Sequence, residues 1–129
     1  MPENFRRFEV TDPFGRKWQC EFRWQQNAIS IRHCDAVDCK YYITDGEEKR
    51  EVVVALMHTG LLATAARRGR PLTDAWCGRL ASLHLEHMIS TWEDMETSIA
   101  TVTSADLDAH SKSIEDAENN ERERLLYAH

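Results

Sequence analysis

Two cysteines and two histidines lie around one predicted turn, and these residue types could together hold a metal ion. The turn runs from Cys34 to Cys39 as "CDAVDC", and His33 precedes it. A hairpin at residues 45–46 would bring His58 back to the same rim of the sheet. Thiols and imidazoles at this loop spacing are the ligands of structural zinc sites. The sequence therefore offers His33, Cys34, Cys39 and His58 as a zinc site.

A structural role is the simpler interpretation of the same four residues. His33 and Cys34 are adjacent, so a regular strand would point them to opposite faces of the sheet. The chain also lacks a Cys-x-x-Cys pair, which is a common zinc-binding signature. We therefore expect ordinary turn and strand-end residues and no cofactor, with zinc at this rim as the alternative.

Nucleophilic catalysis is the second chemistry that these residues would allow. Cys39 with His58 is the better thiol–imidazole pair, because Cys77 and His84 stand two helical turns, about 10 Å, apart. The chain has no Gly-x-Ser-x-Gly, no Ser-x-x-Lys and no glycine-rich phosphate loop. A small enzyme using Cys39 or His58 is thus a further alternative, and the balance favours a non-catalytic protein.

A second histidine pair lies in a strongly predicted helix. His84 and His87 are three residues apart and share one helix side, but the His-Glu-x-x-His arrangement of zinc proteases is absent. His84 falls in the middle of the apolar stripe of this helix. We therefore expect His84 to be a core histidine that makes a hydrogen bond.

The elements that must position these side chains begin with strands. The stretch "KWQCEFRW", residues 17–24, alternates polar and apolar residues, which predicts a strand. One face of that strand would carry Trp18, Cys20, Phe22 and Trp24. A turn at residues 12–15, with Pro13 and Gly15, precedes this strand. A polar break at residues 25–27 follows it, and further β-rich runs predict strands at residues 28–33, 39–44 and 51–57, the last two joined by the hairpin at residues 45–46. We predict an α+β fold with an antiparallel meander sheet of about five strands within residues 5–57.

The second half of the chain predicts helices. A short helix over residues 59–68 would end at Gly69, and a long amphipathic helix would run from Thr73 or Asp74 to about Glu96. Two to three helices would then cover one face of the sheet. The apolar stripe of the long helix would pack against the tryptophan-bearing face of the second strand.

The end of the chain is predicted to differ from the rest. We divide the sequence into an α+β domain at residues 1–100 and an acidic C-terminal helix or tail at residues 101–129. The apolar stripe after Ser104 is thin, and a helix with so little to bury is marginal alone. Its apolar residues would therefore meet this chain's own domain or a partner. The predicted partner-binding residues are Leu107, Ile114, Leu125, Leu126 and Tyr127.

The distribution of charge limits the classes of partner. The net charge is −6, with 12 Lys/Arg against 10 Asp/Glu up to Arg70 and 4 against 12 from Pro71 onwards. Nucleic-acid binding is disfavoured, because binding phosphates needs a positive surface. No apolar run reaches the roughly 20 residues of a membrane span. The start lacks the apolar middle of a secretory signal, so we expect a cytoplasmic protein with reduced thiols.

One basic cluster stands out against this acidic background. Arg67 and Arg68 close the short predicted helix, where positive charge opposes the helix dipole, and Arg70 follows. A phosphate grip is the alternative use of such a cluster, and docking of the acidic tail on it is an intramolecular one.

These observations favour one function over two others. The preferred hypothesis is a small, cytoplasmic, non-catalytic protein that binds another protein or a second copy of itself. It would do so through the C-terminal helix or an open sheet edge. The alternatives are the zinc-binding module and the small enzyme described above.

Overall fold

The computed structural model describes residues 5–29 and 35–126, with residues 27–29 and 35 described by their backbone alone. Within these residues the chain forms five strands and three helices, in an order that runs from strands to helices with one late strand. The elements are β1 (Arg7–Thr11), β2 (Lys17–Ile29), β3 (Asp35–Thr44), β4 (Lys49–Met57), α1 (His58–Arg68), α2 (Asp74–Thr91), β5 (Ile99–Val102) and α3 (Ser104–Leu126).

The predicted α+β class is confirmed by the sheet and its helical cover. The sheet is open, with the strand order β1-β2-β3-β4-β5. The first four strands are joined as an antiparallel meander, whereas β5 runs parallel to β4. A parallel neighbour needs a long crossover, and α1 and α2 together supply it. These helices return the chain to the start of β5.

Two details of the predicted sheet are different in the structure. The polar residues 25–27 do not interrupt the second strand, because β2 stays paired with β3 from Gln19 opposite Thr44 to Ile29 opposite Asp35. The predicted third strand therefore begins as a continuation of β2. The predicted last strand of the meander, at residues 51–57, is confirmed within β4, and the fifth strand of the sheet comes from residues 99–102, after the long helix.

The turns and helix ends follow local chemistry. Gly15 and Gly46 take positive φ in the two predicted turns, a conformation that glycine adopts without steric cost. Gly69 ends α1 in the left-handed conformation, and the Thr73 side chain accepts a hydrogen bond from Trp76 N at the start of α2. These four boundaries agree with the sequence analysis.

The long helix ends earlier than predicted. Helix α2 stops at Thr91, and Trp92 adopts a left-handed backbone with φ of 62°. The Trp92 ring packs against Trp18, with 6.0 Å between ring centroids. The contact accompanies the left-handed backbone at Trp92, where the chain turns towards β5.

The core lies between the sheet and α2. Trp18, Tyr41 and Ile43 are fully buried on the sheet side, and Leu85 and Met88 are buried on the α2 side. The predicted packing of the Trp18 face against the long helix is therefore correct for Trp18. No described helix is long and apolar enough to cross a membrane.

Helix α3 forms an outer layer on α1 and α2. Leu107, Ser111 and Ile114 are buried there, and Gly60 of α1 allows the close approach. A Cβ atom at Gly60 would stand only 2.9 Å from Leu107 Cδ1. The C-terminal helix is thus docked on its own domain, which the sequence left open.

Candidate functional site

A β-bulge in β2 divides the predicted tryptophan face between the two sides of the sheet. The pairing register with β3 shifts between Phe22 and Trp24, so that Phe22 faces Tyr41 and Trp24 faces Lys40. Phe22 packs on the core, whereas Trp24 lies on the opposite face and is 37% exposed. The prediction that Trp24 belongs to the core face was wrong, because one extra residue reverses the side-chain alternation.

The face that receives Trp24 carries none of the three described helices. Its central row crosses the sheet from β2 to β5, because Trp24 pairs with Lys40, Lys40 with Val53, and Val53 with Ile99. Ile99 is 39% exposed, and Tyr42 in the adjacent row is 40% exposed. We call this surface, formed by the outward residues of all five strands, the open face.

Cations lie over the two aromatic rings of the open face. The Arg23 guanidinium stands 4.8 Å from the centroid of the Tyr42 ring, and the Lys40 ammonium lies 5.7 Å from that of Trp24. Lys40 also forms an ion pair with Glu51 at 3.2 Å. The two cationic groups thus lie over the aromatic rings, and the aliphatic part of the Lys40 side chain stands in the central row between Trp24 and Val53.

The open face is close to neutral, unlike the rest of the chain. By register it carries five basic residues and four acidic ones, which are Arg7, Lys17, Arg23, Lys40 and Lys49, and Glu9, Glu21, Asp38 and Glu51. A depression of about 740 Å³ lies beside the central row, between Arg7, Tyr42 and Lys49. The surface therefore combines an apolar ridge, a hollow and balanced charge.

Three histidines cluster between α2 and α3, away from the open face. His84 is buried, and its Nδ1 lies 3.2 Å from Nε2 of His110. His87 stands beside both rings and pairs with Glu93 at 3.1 Å. Burial lowers the pKa of His84, and burial together with the charge of His84 lowers the pKa of His110 to about 4. The expectation of a hydrogen-bonded core histidine at position 84 is confirmed.

The thiols of the described residues are held as neutral groups. Cys39 points into the core and is fully buried, and this burial raises the pKa of its thiol. Burial likewise raises the pKa of Cys20 to about 12 and that of Cys77 to about 11. A nucleophilic cysteine needs a lowered pKa and access to substrate, and these three environments provide neither.

The comparisons with known proteins identify no relative. No family model matches the chain, and no match was found among curated proteins or solved structures. Any statement about function must therefore come from the residues themselves.

The structure describes two of the four predicted zinc ligands, Cys39 and His58. His33 and Cys34 lie outside the described residues. Cys39 pairs with Val54 in the sheet, and its Sγ contacts Gln25 Oε1 at 3.7 Å. His58 begins α1 and is half-buried. In the part of the chain that the structure describes, no three histidine, cysteine or acidic residues are grouped to hold a metal ion.

The basic cluster is used inside the molecule. Arg68 pairs with Asp108 at 2.8 Å and with Glu115 at 3.3 Å, and Arg70 pairs with Glu118. The acidic side of α3 therefore neutralises the arginines at the end of α1. This is the intramolecular docking that the sequence offered as an alternative to phosphate binding.

The predicted partner-binding residues fall into two groups. Leu107 and Ile114 are buried against this chain's own helices, so that a partner cannot reach them while α3 is docked. Leu125 and Leu126 are 60% and 66% exposed at the end of α3. Tyr127 lies outside the described residues. Among the predicted residues that the structure describes, the two leucines at the end of α3 are therefore the ones that a partner can contact.

Sequence reasoning missed the open face because it missed the bulge. A signal was nevertheless present, since the apolar positions within β2 switch from even numbers at Trp18, Cys20 and Phe22 to an odd number at Ile29. A single continuous strand can satisfy both sets only with one extra residue between them. The assumed polar break hid this requirement.

Proposed function

We propose that this protein is a small non-catalytic interaction module whose open face binds a protein partner. The observation that carries the proposal is the row from Trp24 to Ile99 on a sheet face without a described helical cover. Exposed tryptophan and tyrosine are enriched at binding surfaces, because each offers a large apolar area with a polar tip. The buried, neutral thiols give catalysis no comparable support.

The size of the open face suits a second copy of the chain. The strands have 5, 13, 10, 9 and 4 residues, and with a spacing of about 4.8 Å and a rise of about 3.3 Å per residue they present roughly 600–650 Å² on one face. Two such faces would bury roughly 1,200 Å², which is at the lower end of specific protein interfaces. We therefore expect a modest affinity, in the micromolar range or weaker.

The charge of the open face also favours a second copy. Helix α3 carries seven acidic and three basic residues, so that contact between two helical sides would oppose like charges. The open face is nearly neutral and presents both signs. In a two-fold arrangement, the Trp24 ridge of one chain can lie over the hollow beside Tyr42 of the other, and the reverse contact follows by symmetry.

Light scattering over a range of protein concentrations tests this function. The double variant Trp24→Ser/Ile99→Ser should remain monomeric where the wild type dimerises, because it removes both ends of the apolar row. Leu62→Ser is the matched control, since Leu62 is 56% exposed on α1 and far from the open face in the fold. The control should dimerise like the wild type.

Two results would contradict the proposal in different ways. A wild type that is monomeric at all concentrations would reject self-association. A dimer that persists in Trp24→Ser/Ile99→Ser but is lost in Leu125→Ser/Leu126→Ser would instead place the association at the end of α3. The second result would keep the interaction module and reject the open face.

A further inference from the structure

We propose that α3 is a pH-sensitive latch, which separates from α2 when both His84 and His110 become protonated, while the sheet, α1 and α2 remain folded. This inference concerns the helical side of the molecule and does not depend on the open face. It follows from the geometry of the two rings and from the way in which α3 is attached.

The hydrogen bond between the two imidazole rings can form only when at least one of the rings is neutral. Nδ1 of His84 and Nε2 of His110 face each other at 3.2 Å, so one nitrogen donates and the other must be free of hydrogen to accept. When both rings are cations, both facing nitrogens carry hydrogen, and the bond becomes a repulsive contact. Double protonation therefore removes the polar link between α2 and α3.

The surroundings of the pair make the charged state costly. His84 is only 3% exposed, and its Nε2 is buried without a hydrogen-bond partner among the described residues. A proton added there would have no acceptor. Burial of a cation without a partner is strongly unfavourable, so the rings gain from a conformation in which water reaches them.

The charged groups around the pair act in both directions. Glu93 and Asp94, which follow α2, and Asp106 of α3 favour protonation of His84, whereas His87 of α2 opposes it. Asp106 likewise favours protonation of His110, and His87 likewise opposes it. For both rings burial is the largest influence and lowers the pKa. The neutral pair thus stabilises docking fully above about pH 6.5, which is the ordinary pKa of histidine. This contribution decreases below that pH and is lost as the pH falls through about 4, the lowered pKa of His110.

The ion pair between Arg68 and Asp108, which also holds α3, persists across this pH range. Hydrogen bonds from Arg68 lower the pKa of the Asp108 carboxyl further below its ordinary value of 3.8, so the pair stays ionised as the histidines titrate. Of the 23 residues in α3, only Leu107, Ser111 and Ile114 are buried. With so small an apolar anchor, loss of the histidine link shifts the docking equilibrium of α3 before that of the sheet. Undocking would expose Leu107 and Ile114.

Site-resolved hydrogen exchange of the full chain at pH 7.5 and pH 4.5 tests the latch. After correction for intrinsic exchange rates, protection of α3 amides should fall about tenfold or more relative to those of β3, as linkage to a histidine of lowered pKa requires. In His110→Gln the amide can still bond to His84 but cannot become a cation. Its α3 protection should change less than about threefold over the same range.

His87→Gln is the control, because His87 lies beside the pair but its side chain is 43% exposed. Because His87 opposes protonation of both rings, this variant should keep the fall in α3 protection between pH 7.5 and pH 4.5, with a midpoint at a somewhat higher pH. Equal loss of protection in α3 and β3 of the wild type, or an unchanged response in His110→Gln, would overturn the proposal. Should His110→Gln fail to fold, NMR titration of the wild-type imidazoles decides, since rings that both titrate near pH 6.5 exclude the latch.

Discussion

Trp18 and Trp24 lie in the same strand, six residues apart, yet they face different environments. Trp18 is fully buried against α2, and its indole Nε1 donates a 3.0 Å hydrogen bond to Asp12. Trp24 lies on the open face beneath the ammonium of Lys40. The bulge between them separates a face that stabilises the fold from a face that remains available to a partner.

This difference teaches that exposed and buried aromatic residues in one strand can have independent roles. Asp12 illustrates the buried hydrogen bonds on the core side of the sheet. Burial alone would raise the pKa of its carboxyl, but hydrogen bonds from Trp18, Arg16 and Phe14 lower the pKa to about 2. The exposed side chains of the open face belong to no comparable buried network among the described residues, so we expect substitutions of them to affect folding little, unlike substitutions of Ala36 and Ala55, which are buried on the same face.

The largest expected effect comes from replacing each tryptophan by alanine. Trp18→Ala should lower the free energy of unfolding by about 3–5 kcal/mol, because it leaves a cavity in the core. Trp24→Ala should cost less, about 1–2 kcal/mol, because its side chain is 37% exposed and its removal leaves no enclosed cavity. Denaturant unfolding measures both. Similar losses in the two variants would show that the faces do not differ as described, and Trp18→Phe extends the series if Trp18→Ala does not fold.

A smaller effect is expected from adding a methyl group at Gly78, on the core side of the molecule. Gly78 of α2 lies against the ring of Phe5, and a Cβ atom there would stand 2.7 Å from Phe5 Cε2. Gly78→Ala should therefore destabilise the fold by about 1–3 kcal/mol, in spite of the better helix propensity of alanine. Ala63→Gly on the exposed side of α1 gives the propensity effect alone. A stabilised Gly78→Ala variant would contradict the close packing of Phe5 on α2.

The smallest expected effect lies on the open face. Lys40 and Glu51 form a 3.2 Å ion pair in which the Glu51 side chain is 62% exposed. A double-mutant cycle with Lys40→Met and Glu51→Gln should give a coupling of about 0.5 kcal/mol or less, which decreases with added salt. Thermal unfolding of the four proteins at low and high salt provides the measurement. A coupling above about 2 kcal/mol would indicate a desolvated pair, and the open face would then be covered.

Much of the fold could be predicted from local patterns. The turns at Gly15 and Gly46, the end of α1 at Gly69 and the start of α2 at Thr73 depend on residues close in sequence, and all four occur where expected. The early end of α2 could not be predicted in this way. It coincides with the contact of Trp92 with Trp18, which is more than 70 residues away in the chain.

The sequence by itself determined the fold class, the helices and the buried stripe of α2, because periodicity and capping are local properties of a chain. Only the tertiary structure decided that Trp24 faces outwards, that β5 joins the sheet in parallel and that His84 meets His110. Each of these depends on the strand register or on helix packing between distant segments. A shift of one residue in a strand reverses every later side chain. The change in apolar positions along β2 indicates such a shift, but only the pairing with β3 places it between Phe22 and Trp24.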